Sequence, residues 1–124
     1  MSARYHRLHD IYEHLRYDGR DFHTLAAVCP ELADRVLTVN GVAKAYAMTG
    51  WRIGFAGGPA PLIKAMNKLQ SQISGNATSV SQAAATFALN EVTTEIEDMR
   101  QAFEARRNML FIPLAESRRV GRKR

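Results

Sequence analysis

Cysteine is almost missing from this sequence of 124 residues. Cys29 stands alone, so no internal disulfide can form. That usage points to a reducing compartment, the cytoplasm by default. The thiol itself reads as a small, semi-buried side chain rather than a reactive one. Long apolar runs are missing as well. No stretch approaches the length of a bilayer-spanning helix, and Met1-Ser2-Ala3-Arg4-Tyr5-His6-Arg7 has no apolar core of the kind a secretory leader carries. His6, His14 and His23 fall into no recognisable metal-ligand spacing with Cys29, so a zinc site is not expected. There is no internal repeat. A one-signed charge is also lacking over most of the chain, although the net charge is +5. Five of the 17 basic residues are Arg118, Arg119, Arg122, Lys123 and Arg124, which leaves 12 basic against 12 acidic residues elsewhere. The basic character is therefore a tail. It reads as a solvated end; weak, non-specific attraction to nucleic acid or an anionic surface is the less favoured use of such a run.

An apolar fraction of 46% is ordinary for a soluble globular chain, and the length suits one small domain. Its organising stretch is 40–54, Asn-Gly-Val-Ala-Lys-Ala-Tyr-Ala-Met-Thr-Gly-Trp-Arg-Ile-Gly. The β-branched run Arg35-Val36-Leu37-Thr38-Val39 precedes it, and the apolar run Ile53-Gly54-Phe55-Ala56-Gly57-Gly58 closes it. Two such runs joined by a glycine-punctuated connection predict strand, loop, strand. Lys44 lies in the loop among Ala43, Ala45, Tyr46 and Ala47. Most loop lysines are solvated, but an apolar setting disfavours the ammonium, and a neutral amine can attack a carbonyl. Arg52, eight residues on, offers a planar fork of donors suited to a phosphate.

The wording of this stretch resembles the pyridoxal-phosphate lysine motif of class I aminotransferases, the aspartate aminotransferase-like family. The residues that carry the likeness are Asn40-Gly41-x-Ala43-Lys44-Ala45-Tyr46-x-Met48-Thr49-Gly50-Trp51-Arg52-x-Gly54. The resemblance implies that Lys44 is the Schiff-base lysine and proton shuttle, and that Arg52 binds the cofactor phosphate. Tyr12, in Tyr12-Glu13-His14, matches the tyrosine at the cofactor's phenolic oxygen. Tyr46, Met48 and Trp51 are expected to support the loop, and Gly41, Gly50 and Gly54 to serve backbone geometry. One departure stands out. The family has an acidic residue three positions before the tyrosine, paired with the pyridine nitrogen, and this chain has His9 there. A carboxylate keeps that nitrogen protonated so that the ring withdraws electrons; a neutral histidine could only donate to it. Asp10 is a poor substitute in an extended segment, since neighbouring side chains point to opposite faces.

Elsewhere the pattern is helical. Pro30-Glu31-Leu32-Ala33-Asp34-Arg35 is a short helical candidate, with proline and acid in its first turn. Gly57-Gly58-Pro59-Ala60-Pro61 opens a helix whose stripe is Leu62, Met66, Leu69 and Ile73. Ser71 to Thr78 is a linker containing Gly75. Ser79-x-x-Gln82 reads as a capping box ahead of a half-buried face of Val80, Ala83, Ala84, Phe87 and Ala88. Thr94-x-x-Glu97 caps a further helix, with Ile96, Met99, Phe103 and Leu110 along one face and an end expected at Pro113. Each stripe reads as core. Ser79 to Ala84 and Arg106-Arg107-Asn108 also resemble the family.

The resulting expectation is an α/β fold: part of the large domain of an aminotransferase, a few strands of a mostly parallel sheet with packed helices. Residues 10–110 would be the partial domain, 1–9 a divergent segment that does not read as a buried strand, and 111–124 a divergent basic tail. The resemblance implies pyridoxal 5'-phosphate as cofactor, amino-acid and 2-oxo-acid substrates, and a homodimer. The phosphate loop, the ring-stacking residue and the substrate-clamping arginine have no place in this chain. A truncated piece, inactive alone, is therefore expected. The alternatives are a non-catalytic remnant or a small interaction module with a basic tail.

Overall fold

The computed structural model describes residues 5–121, with side chains through Phe111. Three strands form one sheet in the order β1-β2-β3. β1 (His6–His9) runs parallel to β2 (Val36–Asn40), with His6 opposite Val36 and His9 opposite Val39. β3 (Phe55–Gly57) is antiparallel to β2, with Thr38 opposite Gly57 and Asn40 opposite Phe55. Strand, loop and strand therefore fall where the two apolar runs place them. β1 is a correction. Its sequence carries no apolar pattern, and its residues are mostly exposed. Backbone bonds to β2 alone set its register, and these ask nothing of the side chains.

Between β1 and β2 come a one-turn helix, α1 (Leu25–Val28), and a 3-10 turn over Pro30–Arg35. Three helices follow β3: α2 (Ala60–Ile73), α3 (Ser79–Glu91) and α4 (Thr94–Gly121). α2 starts behind Pro59 and ends at Ile73 with Ser74 as its C-cap, followed by Gly75, whose φ of +68° suits a residue without Cβ. The N-cap of α3 is Thr78, whose hydroxyl accepts from the Ser81 N–H at 3.3 Å. Gln82 instead reaches back to the Ala77 carbonyl, so the cap lies one residue ahead of the expected box. Its buried face is also different: Ser81, Ala85 and Ala88 point inward, while Val80 and Phe87 are exposed. α4 does not end at Pro113. A proline removes one intrahelical bond, a local loss in a helix of 28 residues. The basic side chains at Arg118 to Arg124 lie outside the described side chains.

The buried apolar residues are Val36, Leu37, Val42, Ala45, Ala85, Ala88 and Ile96. Two lie on β2, two on the loop that follows it, two on α3 and one on α4. The α2 stripe is not core: Met66, Leu69 and Ile73 are exposed. No helix among the described residues is long and apolar enough to cross a membrane.

Candidate active site

The loop from β2 to β3 is held from beneath. Val42 is 1% exposed and Ala45 2%, and these two plug the loop into the core. Ala47 N–H closes a turn on the Lys44 carbonyl at 3.1 Å, and Met48 N–H reaches the Val42 carbonyl at 3.3 Å. Lys44, between the two plugs, is left on the outside. Burial of this amine, the premise for a neutral lysine, is thus not what the fold provides. The loop goes on into a 3-10 turn, Thr49–Trp51, and then Arg52 in the left-handed region at φ 51°, ψ 48°. Ala47 also has a positive φ, 53°. Side chains with a Cβ rarely adopt such angles, so this loop spends backbone energy to hold its shape. Gly41 and Gly54 close its neck. A Cβ on Gly41 would come within 3.1 Å of the Gly54 Cα and 3.2 Å of the Ile53 carbonyl oxygen. Gly50 has open space around it.

Lys44 and Tyr12 line one open cleft of about 580 Å³, together with Leu15, Tyr17, Met99 and Phe103. Two of the three site residues expected from the sequence are therefore brought together. The third is not. Arg52 lines a different cavity, with Phe55, Met66 and Gln70, and its Nη1 donates to the Thr49 carbonyl at 3.1 Å. His9 is exposed at the end of β1, while Asp10 beside it is buried with one carboxylate oxygen lacking a partner. Burial, then the nearby Glu13 carboxylate, push the Asp10 carboxyl above its ordinary range, and His9 pulls weakly the other way. Among the described residues no group of three His, Cys, Asp or Glu side chains could hold a metal ion.

Other contacts around the cleft could not be read from spacing. Asn40 Nδ2 donates to Glu13 Oε1 at 2.7 Å, joining residues 27 apart. Ser81 Oγ donates to the Trp51 carbonyl at 2.8 Å, which ties α3 to the loop. From α4, Arg107 holds both Asp18 carboxylate oxygens at 2.6 and 2.7 Å and stacks over the Tyr17 ring. Arg100 joins Glu97, Glu104 and the Arg16 carbonyl.

A family model described as aminotransferase class I and II matches residues 8–121. An aspartate aminotransferase of Rhizobium meliloti is 54% identical over 101 residues, 82% of this chain and 25% of that protein. An aspartate/prephenate aminotransferase of Cereibacter sphaeroides is 49% identical over 111 residues, 90% of this chain and 28% of that one. The crystal structure of the aspartate aminotransferase from Rhizobium meliloti superposes with a TM-score of 0.82 at 50% identity, over 85% of this chain and 26% of its own. The chain spans about a quarter of the length of the curated relatives it matches.

Proposed function

Because the chain belongs to the class I and II aminotransferase family, we propose that it carries the lysine element of a pyridoxal-phosphate-dependent aminotransferase, with Lys44 as the residue that holds the cofactor. The observation that supports this most is the shared cleft. A lysine that is exposed and a tyrosine line the same space of about 580 Å³, together with Tyr17, Phe103 and Met99. Such a lining accepts a flat heterocycle, and the phenol is a hydrogen-bond donor for a phenolate-type oxygen. In this reading Tyr12 sits at the cofactor oxygen, while Arg52, which the motif implies as the phosphate ligand, lines a different cavity.

The described residues fit one end of the cofactor only. The aldehyde end has its amine and its tyrosine. The phosphate end has no arginine in the same cleft, since Arg52 is engaged with Thr49. The ring nitrogen has an exposed His9 in place of a carboxylate. What the cofactor supplies when bound is an electron sink for the substrate carbanion. What the chain's own residues supply is an exposed amine on a strained loop and a hydroxyl, carried by the turn after β1, that lines the same cleft. Transfer of an amino group between an amino acid and a 2-oxo acid, and a second copy of the chain as partner, belong to this proposal. The relatives' printed activities make aspartate the first amino donor to test.

The test is covalent. The chain is incubated with pyridoxal phosphate, reduced with borohydride and digested, and the modified peptide is identified. Label concentrated at Lys44 over Lys64 and Lys68 is the expected result. Equal labelling of the three, or none, sinks the proposal and leaves a non-catalytic remnant of the family as the reading.

A further inference from the structure

We infer that Glu13 and Asn40 form a positioning bridge that sets the Tyr12 turn against the Lys44 loop. The parallel strands β1 and β2 end side by side, their last ladder bond being Asp10 N–H to the Val39 carbonyl at 2.9 Å. Beyond that point the two chains leave the sheet at the same end. One enters a turn in which Glu13 N–H bonds the Asp10 carbonyl and Leu15 N–H the Tyr12 carbonyl, each at 2.9 Å. The other enters the loop that carries Lys44. The gap between them is spanned by Asn40 Nδ2 donating to Glu13 Oε1 at 2.7 Å. The same amide turns its oxygen back on its own loop, where Oδ1 accepts from Gly41 N–H at 2.7 Å.

Only an asparagine does both jobs at this reach. It has a donor for the neighbouring turn and an acceptor for the next backbone N–H, whereas an aspartate has no donor and a serine is too short. The acceptor is a carboxylate in a half-buried setting, so the bond is charge-assisted and stronger than a neutral one. A second strut runs alongside. The His14 ring meets the Tyr46 ring edge-on, with centroids 5.8 Å apart and planes at 82°. The His14 Nε2 lies 3.4 Å from the Glu13 carboxylate. Two residues directly after Tyr12 thus grip two residues that flank Lys44. Neither Glu13 nor Asn40 is among the residues lining the Tyr12–Lys44 cleft. They act through the loops, as positioning residues. The claim that the bridge matters to the cofactor rests on the function proposed above; the bridge itself does not.

The experiment uses the full chain with Asn40→Asp, with Glu13→Gln, and with both. Asn40→Asp sets two carboxylates face to face. Glu13→Gln alone keeps an acceptor oxygen for the asparagine. The pair together restores a donor, because the new glutamine amide can donate to the new aspartate while the aspartate still accepts from Gly41. Three readouts are taken: hydrogen-exchange protection of the Gly41 amide, the share of borohydride-fixed pyridoxal phosphate on Lys44, and the urea midpoint. Asn40→Asp is expected to lower protection and Lys44 share on the order of tenfold, the scale of a lost charge-assisted bond. Glu13→Gln is expected to lower both less, and the double variant to recover most of the loss. The urea midpoint should fall by no more than the lost bond accounts for and leave the chain folded during labelling, so that lost selectivity reports position and not unfolding.

A double variant as poor as Asn40→Asp, or Gly41 protection indifferent to every substitution, overturns the bridge. Lys44 selectivity that is present in the parent and unchanged in all three variants overturns its positioning role and leaves the cofactor proposal standing. Protection that falls and is rescued, with no Lys44 selectivity even in the parent, leaves the bridge and removes the cofactor proposal. If Asn40→Asp does not fold, the double variant decides: recovered folding with a protected Gly41 supports the bridge, and continued failure overturns it.

Discussion

The loop around Lys44 and the helix α2 are built from similarly apolar sequence and end up in opposite situations. Under the loop, Val42 and Ala45 are sealed, and a methyl group at the neck between Gly41 and Gly54 would force the facing backbone to give by a few tenths of an ångström. On α2, four apolar residues recur at helical spacing, yet Leu69 is 62% exposed and Ile73 78%. One region is closed to solvent and the other is amphipathic with much of its apolar side exposed. Apolar periodicity therefore marks a face that can be buried, and only a neighbouring element decides whether it is. For the loop, the neighbours are its own strands. For α2, no element among the described residues covers the stripe.

The largest expected effect comes from breaking the packed side of that contrast. Val42→Asp places a carboxylate in a site that is 1% exposed and has no partner for it. The cost is about 4 kcal/mol or more, a large part of a small domain's whole stability. Unfolding in urea should begin without a native baseline, and Lys44 should lose any preference for pyridoxal phosphate over Lys64 and Lys68. Val42→Ala, which only empties space, should cost about 2 kcal/mol and keep the preference. A Val42→Asp chain with an unchanged urea midpoint would show that the loop is not the core of this molecule.

The elements on both sides of this contrast were legible beforehand, but the exposure of the α2 stripe, which reads as core in the sequence, was not. β2 and β3 follow from β-branched and glycine-bounded runs, a local signal. β1 escaped because His6-Arg7-Leu8-His9 pairs through backbone alone, which leaves no pattern in the side chains. The helix starts were visible, but Thr78, Ser79 and Ser81 all carry cap-forming hydroxyls, and the one used depends on how α3 meets Trp51. That contact also turns Ser81, Ala85 and Ala88 inward and leaves Val80 and Phe87 outside, since only small side chains fit where the helix lies close to the loop. At the site, Lys44 and Tyr12 were found from the motif wording, and the fold brings them into one cleft. Where Arg52 points was not readable, because a left-handed backbone and the Thr49 carbonyl decide it. The Asn40–Glu13 bond joins positions with no periodic relation, so sequence spacing holds no trace of it.

A smaller effect separates the two regions by pH. α4 is fastened to the turn after Tyr12 by exposed ion pairs. The hydrogen bond from Arg100, then that from Gln101, hold the Glu97 carboxyl down at about 2 from an ordinary 4.5. The Asp18 N–H, then Arg100, lower that of Glu104, and Arg107 lowers that of Asp18. For an acid lowered on folding, the contribution is present above the unfolded value and is lost as pH falls through the folded one. Asp10 runs the other way: raised by burial, its penalty is absent in acid and grows as pH rises through 3.8 toward its folded value. Between pH 4.5 and about 2 the three lowered groups dominate, so the melting temperature should fall. Because these pairs face solvent, added salt should shrink the slope. Arg100→Gln should flatten it further, with little change in Lys44 labelling at neutral pH. A slope unaltered by that substitution would move the acid sensitivity to other groups.

The smallest expected effect lies on the uncovered helix, and its smallness is what makes it informative. Leu69→Lys and Ile73→Lys remove apolar side chains that already touch solvent, so almost no transfer free energy is lost. Lysine and leucine have nearly equal helix propensities, and a cation in the last turn of α2 meets the negative end of the helix dipole. Stability should change by less than about 0.5 kcal/mol, as at surface positions generally. Association should change more, since an exposed apolar stripe invites contact between copies. Sedimentation over a range of concentrations should show the double variant shifted toward monomer, at an unaltered urea midpoint. A loss of stability comparable to that of Val42→Ala would mean that α2 is packed in solution. The stripe would then have to be counted with the loop as core.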